Sequence, residues 1–559
     1  MAPDLDADLA DRERDRGLRL GGLDPDLLGL VVVEQAIGDR RAEALERLVG
    51  ALLRDERQKT ARAAVTLADV QRVARTWLVP ANRTTGIYLA SSTVPQRAPL
   101  PTRVDVAQLL ANFTGQMAAA PIEDFELTAA NIESRLVKSR LTVGGQPGLQ
   151  LVVLPRQTKG ERVTGTLRLR WGTAETVAGS AVLAGFAGSL LVHGTAAQSA
   201  EQIKQTLLAL DATVGFSTSA GGLSANFELP AKNTAAFMRL LAELLTQATL
   251  PDAEFERQRT AALANFQSTK ADTAAVAGNA LQQVFSNYPE ADPRASLSFA
   301  QREALLRSAT ALQVRAFYKR FASAAIGEMA LIGPVQPAQV QAQLQQLMGS
   351  WTSSEPRKPW VYAYPASLPS TWQSVQVPDK ANANLQGQLL LPLSDRHPDY
   401  AALTLANYLF GRGGSSRLWV RIRETDGLSY DVRSVLAWSA LDDNTQWTVT
   451  AIFAPQNQPK VEAAFREELA RSLKDGFTQS ELDEGRKGLL STRRLARAQD
   501  GGIAAQLVSN LYLDRRFAFD QQVDDAMARA SLADVNAAWR RHIDPQRLAM
   551  AWGGDFKLP

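Results

Sequence analysis

Few residues in this chain could do chemistry. It holds three histidines, His193, His397 and His542, and no cysteine, which removes disulfides, thiolate metal sites and cysteine nucleophiles together. His193 closes the stretch "AGFAGSLLVHGT", Ala184 to Thr195, which reads as a helix of small apolar residues ending at a glycine. A lone histidine at a helix end packs or caps far more often than it ligates. Further on, "RIRETDGLSY" sets Arg423 and Tyr430 seven residues apart. Taken without their flanks, they read as a solvated helix charge and a strand-edge aromatic. There is no G-x-S-x-G elbow and no GxxxxGK, and "GRGGSS" does not fit GxGxxG. The carboxylates Glu481, Asp483 and Glu484 sit beside Arg486 and Lys487, the pattern of a solvated helix face.

The elements around these residues set the architecture. A chain of 559 residues exceeds one ordinary core, and its 45% apolar and 21% charged residues are those of a globular protein. The net charge is +3, with bases scattered among acids, so no stripe suits nucleic acid. No apolar run approaches the roughly 18 residues of a membrane helix, and "MAPDLDADLADRERDRG" lacks the basic and apolar regions of a signal peptide.

Three segments share one pattern, a Ser or Thr, a short helix with a Val, then a strand. They start at Thr66, Thr310 and Ser531, with Val70, Val314 and Val535 equivalent. Repeats roughly 220 to 240 residues apart are whole domains, each closed by the pattern. Residues 131–348 and 349–559 are thus expected to be complete units, and 1–98 the C-terminal remnant of a preceding one. Residues 99–130, rich in Pro, Ala and polar side chains, read as the linker. In "TLRLRWG", Leu167, Leu169 and Trp171 alternate with Arg168 and Arg170; "LSANFELP" and "WTVTAIF" alternate likewise, each strand with one face buried and one wet. Ser199 and Gln202 form a capping box before a helix. The fold class is α+β, two homologous antiparallel-sheet and helix sandwiches.

With "WGTAET", the small-residue helix, "GT" followed by "SAEQI", and "GRGGSSRLWVRIRETDGLSYDVRS", the chain resembles the insulinase/pitrilysin zinc metallopeptidases, the inverzincins. The resemblance implies the mitochondrial processing peptidase-like fold, four homologous units in two halves around a peptide chamber, with this chain the noncatalytic C-terminal half of a bacterial-type member. The family's zinc helix reads H-x-x-E-H, two ligands on one helix face with a general base beside them. Those ligand positions fall here on Gly185 and Ser189, the base on Gly188, and the third ligand, a Glu in the family, on Asn265. None of the four can do that work, so the resemblance implies no metal or cofactor on this chain and zinc in another half. In the helix, the small residues would then serve close packing.

The same resemblance gives Arg423 and Tyr430 a role: reaching across the chamber to hold the substrate carbonyl beside the zinc of the other half. A guanidinium and a phenol can both donate to the oxyanion that forms when water attacks a peptide carbonyl. Arg421 competes with Arg423, and only the spacing to Tyr430 separates them. The implied partners are peptides and a zinc-bearing half of the same family, the implied place the periplasm, with no nucleic acid and no membrane insertion. The alternative is a proteolytically silent assembly subunit, as in the core proteins of respiratory complexes.

Overall fold

The computed structural model describes residues 65–79, 82–83, 125–356, 358–365 and 370–556. The chain divides into two compact units, residues 1–117 and 118–559. The expected remnant over 1–98 and linker over 99–130 therefore lie largely outside the described residues. In the first unit the helix Leu67–Trp77 starts at a capping box between Thr66 and Asp69.

The same box opens the two equivalent helices of the second unit, with Thr310 and Gln313 before Ala311–Phe321 and Ser531 and Asp534 before Leu532–His542. Each box satisfies two helix-end N–H groups reciprocally. The equivalent valines differ in surroundings: Val314 and Val535 are fully buried, whereas Val70 is 55% exposed. In the second unit each helix leads into a strand that slots into the middle of a sheet, buried along its whole length.

Six strands form the first sheet: β1 (Val137–Val143), β2 (Gln146–Pro155), β3 (Arg162–Arg170), β4 (Thr213–Ser219), β5 (Gly222–Pro230) and β6 (Gly327–Gly333), in the order β1-β2-β6-β3-β5-β4. The second sheet holds β7 (Trp372–Gln376), β8 (Ala383–Leu391), β9 (Ser429–Ala437), β10 (Thr445–Phe453) and β11 (Ala549–Gly554), in the order β7-β11-β8-β10-β9. Among the described strands only β2 with β6 and β7 with β11 pair in parallel. The largely antiparallel α+β architecture expected from strand alternation is what forms. One sheet lies before residue 349 and the other after it.

Alternation selects the inner faces. Leu167, Leu169 and Trp171 pack inward beneath the small-residue helix Ala181–Leu190, together with Leu223, Ala225, Phe227 and Leu229. In the second sheet Trp447, Val449, Ala451 and Phe453 do the same against the helices Tyr400–Asn407, Gln458–Lys474 and Leu532–His542. Phe410, Trp447 and Trp539 form an aromatic cluster with centroids 4.9 to 5.9 Å apart. Its indole N–H groups are satisfied, Trp447 donating to Asn407 Oδ1 at 2.9 Å and Trp539 to Ser472 Oγ at 3.0 Å.

The outer faces differ from the sequence expectation, which left them wet. Helix Asp500–Tyr512 lies across the first sheet, packing Ile503, Ala504, Leu507 and Val508 on Val152, Leu154, Ala330 and Ile332. Beneath it Arg168 donates to Ser509 Oγ at 3.0 Å, and Arg170 lies 3.3 Å over the Tyr512 ring and pairs with Glu328 at 2.9 Å. Reciprocally, helix Thr273–Val284 covers the second sheet with Ala277 and Leu281 on Ala549 and Ala551. There Gly553 touches backbone, since a Cβ would lie 2.2 Å from the Thr273 carbonyl oxygen. Each sandwich thus lends a helix to the other's sheet. The arginines of "TLRLRWG" are paired because their face is covered, a contact between residues over 300 positions apart that strand periodicity cannot report. The end of the expected linker is also structured: Phe125 and Ala129 are buried in the same cluster, where helix Ala129–Arg135 begins.

Candidate functional site

The small-residue helix runs Ala181–Leu190, and His193 ends the short 3-10 turn after it. Gly188 touches β4: its N–H donates to Thr218 Oγ1 at 3.1 Å, and that hydroxyl donates on to the Gly185 carbonyl at 3.2 Å. A Cβ at residue 188 would lie 2.7 Å from Thr218 Cγ2. The close approach anticipated for these small residues is present at this point.

Four polar side chains link this helix to Asp252–Lys270. Ser189 Oγ donates to Gln258 Oε1 at 2.6 Å, Gln258 Nε2 donates to Glu254 Oε1 at 2.7 Å, and Glu254 pairs with His193 Nε2 at 3.3 Å. The hydrogen bonds of Arg257, opposed by desolvation and aided by Gln258 and His193, hold the Glu254 carboxyl at about 2. Asn265 sits exposed on the same helix, its carbonyl accepting from Thr269 Oγ1. A zinc ion does not fit these positions. Gly185 and Gly188 offer no donor, Ser189 is committed to Gln258, and Thr218 fills the space a base at residue 188 would need. His193 lies with Nε2 3.3 Å from the Glu254 carboxylate, the position of a packed helix-end histidine.

Arg423 and Tyr430 lie on consecutive elements. Arg423 belongs to the wide helical turn Trp419–Thr425 and stacks its guanidinium carbon 4.0 Å over the Trp419 ring. Arg421 is spoken for, pairing with Asp426 at 3.3 Å and Glu467 at 3.0 Å. Upstream, Arg417 anchors the segment: it donates to Glu481 at 2.6 and 2.9 Å and to the Gly476 carbonyl at 2.7 Å. Glu481, assigned from its sequence to a solvated face, is this anchor's carboxylate.

After Gly427, whose φ of 61° turns the chain, β9 begins at the edge of the second sheet. The register shifts there: Asp431 opposes Ile452 and Ser429 opposes Phe453, leaving Tyr430 as the extra residue of a β-bulge. Ser429 Oγ fixes the bulge by donating to the Ile452 carbonyl at 2.6 Å. A bulge re-aims a side chain, and Tyr430 is 58% exposed. The arrangement presents to solvent, from consecutive elements, a phenol and a guanidinium that has no ion pair among the described residues, both able to donate hydrogen bonds to an anionic oxygen.

Sequence reasoning missed one further cluster. His397, Asp399 and His542 offer one ligand atom each within 4.8 Å of one another, the single such group among the described residues. Asp399 and His542 are 143 positions apart, so no local spacing could announce them.

Residues 308–489 match the family model described as Peptidase M16 inactive domain. No curated protein matches the chain by sequence. Among solved structures it is similar to a peptidase M16 inactive domain from Pseudomonas fluorescens, at 19% identity and TM-score 0.65, covering 76% of this chain and 98% of that one. A protease from Helicobacter pylori aligns at 16% identity and TM-score 0.64, over 75% of this chain and 98% of that one. The periplasmic protease PqqL from Escherichia coli aligns at 16% identity and TM-score 0.59, over 80% of this chain and 49% of that one, so the chain spans about half its length. The fold is therefore that of the M16 peptidases. Residues 308–489 match that family's inactive domain, and the chain as a whole shares its fold.

Proposed function

We propose that this chain is the substrate-holding half of a two-half M16 metallopeptidase, acting on peptides beside a separate half that carries the zinc. The observation that supports this most is that Tyr430 is exposed on its bulge and Arg423, on the preceding element, has no ion pair among the described residues, while Arg417 and Arg421 are consumed in structure. Such a pair binds the peptide carbonyl oxygen more tightly as charge builds on it, which is where hydrogen-bond donors accelerate acyl transfer. The metal's Lewis acidity and its activated water belong to the other half. The periplasm is the compartment we infer, because PqqL, similar in fold, is a periplasmic protease.

The test is to mix the chain with a zinc-bearing M16 half and follow cleavage of a quenched fluorescent peptide. Hydrolysis above that of the zinc half alone, lost with Tyr430→Phe, is the expected result. No gain on mixing would instead favour a silent assembly subunit.

A further inference from the structure

Two of the chain's three histidines meet far from the degenerate helix, at the crossing of two helices in the last sandwich. His397 and Asp399 precede helix Tyr400–Asn407, Asp399 at its N-cap position, and His542 is the last residue of Leu532–His542. His542 Nε2 lies 2.7 Å from Asp399 Oδ2, and Asp399 N–H donates to His397 Nδ1 at 3.1 Å. The rings stand edge to face, 5.3 Å between centroids. His542 and Asp399 are mostly buried. Among the described residues the competing cation is Arg541, which donates to the same Asp399 Oδ2 at 2.5 Å but is itself 60% exposed.

We propose that His397, Asp399 and His542 form a binding site for a first-row divalent cation, zinc foremost, that staples the C-terminal helix to the start of Tyr400–Asn407. The donor chemistry is two imidazoles and one carboxylate, with solvent completing a tetrahedron. Each donor atom already holds a polar partner that a cation can replace. The His542 Nε2 lone pair takes the metal in place of the proton it shares with Asp399, that proton passing to solvent or to His542 Nδ1, and His397 Nδ1 exchanges the backbone N–H for the metal. Ligand atoms within 4.8 Å of one another need only side-chain adjustment to reach metal–ligand bonds of about 2.0–2.2 Å. Arg541, exposed and long, swings off the carboxylate as the cation arrives, since the two positive charges compete for one oxygen. This site is independent of the zinc proposed for the other half and is placed to stabilise.

The tag-free, metal-stripped chain is titrated with Co(II), read by its visible ligand-field absorption, and with Zn(II), read by calorimetry. One equivalent is expected to bind. His397→Ala and His542→Ala should each weaken uptake by more than about a hundredfold, beyond the roughly 10–100-fold that removing outer-shell support usually costs. His193→Ala should leave it unchanged. Arg541→Ala, a change at an exposed side chain, should tighten binding severalfold, whereas a purely electrostatic lock among Arg541, Asp399 and His542 would bind no metal in any variant. If His542→Ala fails to fold, His397→Ala and Arg541→Ala decide the matter. Absence of saturable uptake, or uptake that survives His397→Ala, overturns the site.

Discussion

The guanidinium of Arg423 rests on the indole of Trp419, its central carbon 4.0 Å from the ring centroid. Stacking of this kind orients the charge without neutralising it, unlike the carboxylates that engage Arg421 two residues earlier. The spacing argument that favoured Arg423 over Arg421 thus acquires a physical companion, the absence of an ion pair at Arg423 among the described residues.

If the pair acts on the substrate, Arg423→Ala and Tyr430→Phe should leave stability within about 0.5 kcal/mol of the parent, both residues being exposed. Either change should lower hydrolysis by the mixed halves roughly 10² to 10³-fold, the usual effect of removing an oxyanion donor. Urea unfolding and steady-state kinetics on the same preparations separate the two quantities. Trp419→Ala, which removes the stacking surface along with the indole's hydrogen bond to Glu424, should fall between parent and Arg423→Ala.

The contact between Gly188 and Thr218 predicts a compensating pair. Gly188→Ala forces a Cβ to within 2.7 Å of Thr218 Cγ2 and should destabilise by about 1–3 kcal/mol, as overpacking does. Thr218→Ser deletes that methyl and keeps the hydroxyl bound to Gly188 N–H. The double variant should therefore recover part of the loss, the retained hydroxyl oxygen still lying 2.9 Å from the added Cβ, a coupling visible in a thermodynamic cycle from urea midpoints.

Gly553 is a harder constraint, because its neighbour is the Thr273 carbonyl oxygen, 2.2 Å from an added Cβ. Backbone cannot rotate aside as a methyl can. Gly553→Val should lower stability by about 3 kcal/mol or more, and the loss should appear as earlier unfolding of both sandwiches, followed by hydrogen exchange in β8 and in helix Thr273–Val284.

Acid sensitivity should trace in part to the anchor of the Arg423 segment. Burial alone would raise the Glu481 carboxyl, yet the Arg417 guanidinium and the Thr478 N–H and hydroxyl bring it down to about 2. A carboxylate with a depressed folded-state pKa stabilises fully above its unfolded value near 4.3, and that contribution disappears as pH falls towards 2. The Glu481→Gln variant should be less stable than the parent at pH 7, with the difference closing between about pH 4.5 and 2. Denaturant midpoints across that range give the curve.

Much of this molecule was legible in its sequence where the signal is local. The capping box at Ser199, the helix starts at Thr310 and Ser531, the alternation of Leu167 to Trp171 and of Trp447 to Phe453, and the glycines that let Ala181–Leu190 meet β4 are all written in neighbouring residues. What escaped reading depends on distant partners. Arg168 and Arg170 look solvated until Ser509, Glu328 and Tyr512 arrive beside them. Glu481 looks like surface until Arg417 closes on it. The bulge at Tyr430 is a mismatch between two strands, so β9 by itself contains no trace of it.

The covering of the first sheet by Asp500–Tyr512 has a consequence for how the protein is made. The last strand of that sheet leaves the ribosome with Gly333, but the helix that shields Val152, Leu154, Ala330 and Ile332 ends only at Tyr512. At translation rates of about 5–20 residues per second, a greasy surface on the nascent chain stands open for on the order of ten to thirty seconds. A holdase that recognises extended aliphatic surface would find its longest opportunity there, before the second sandwich has been synthesised.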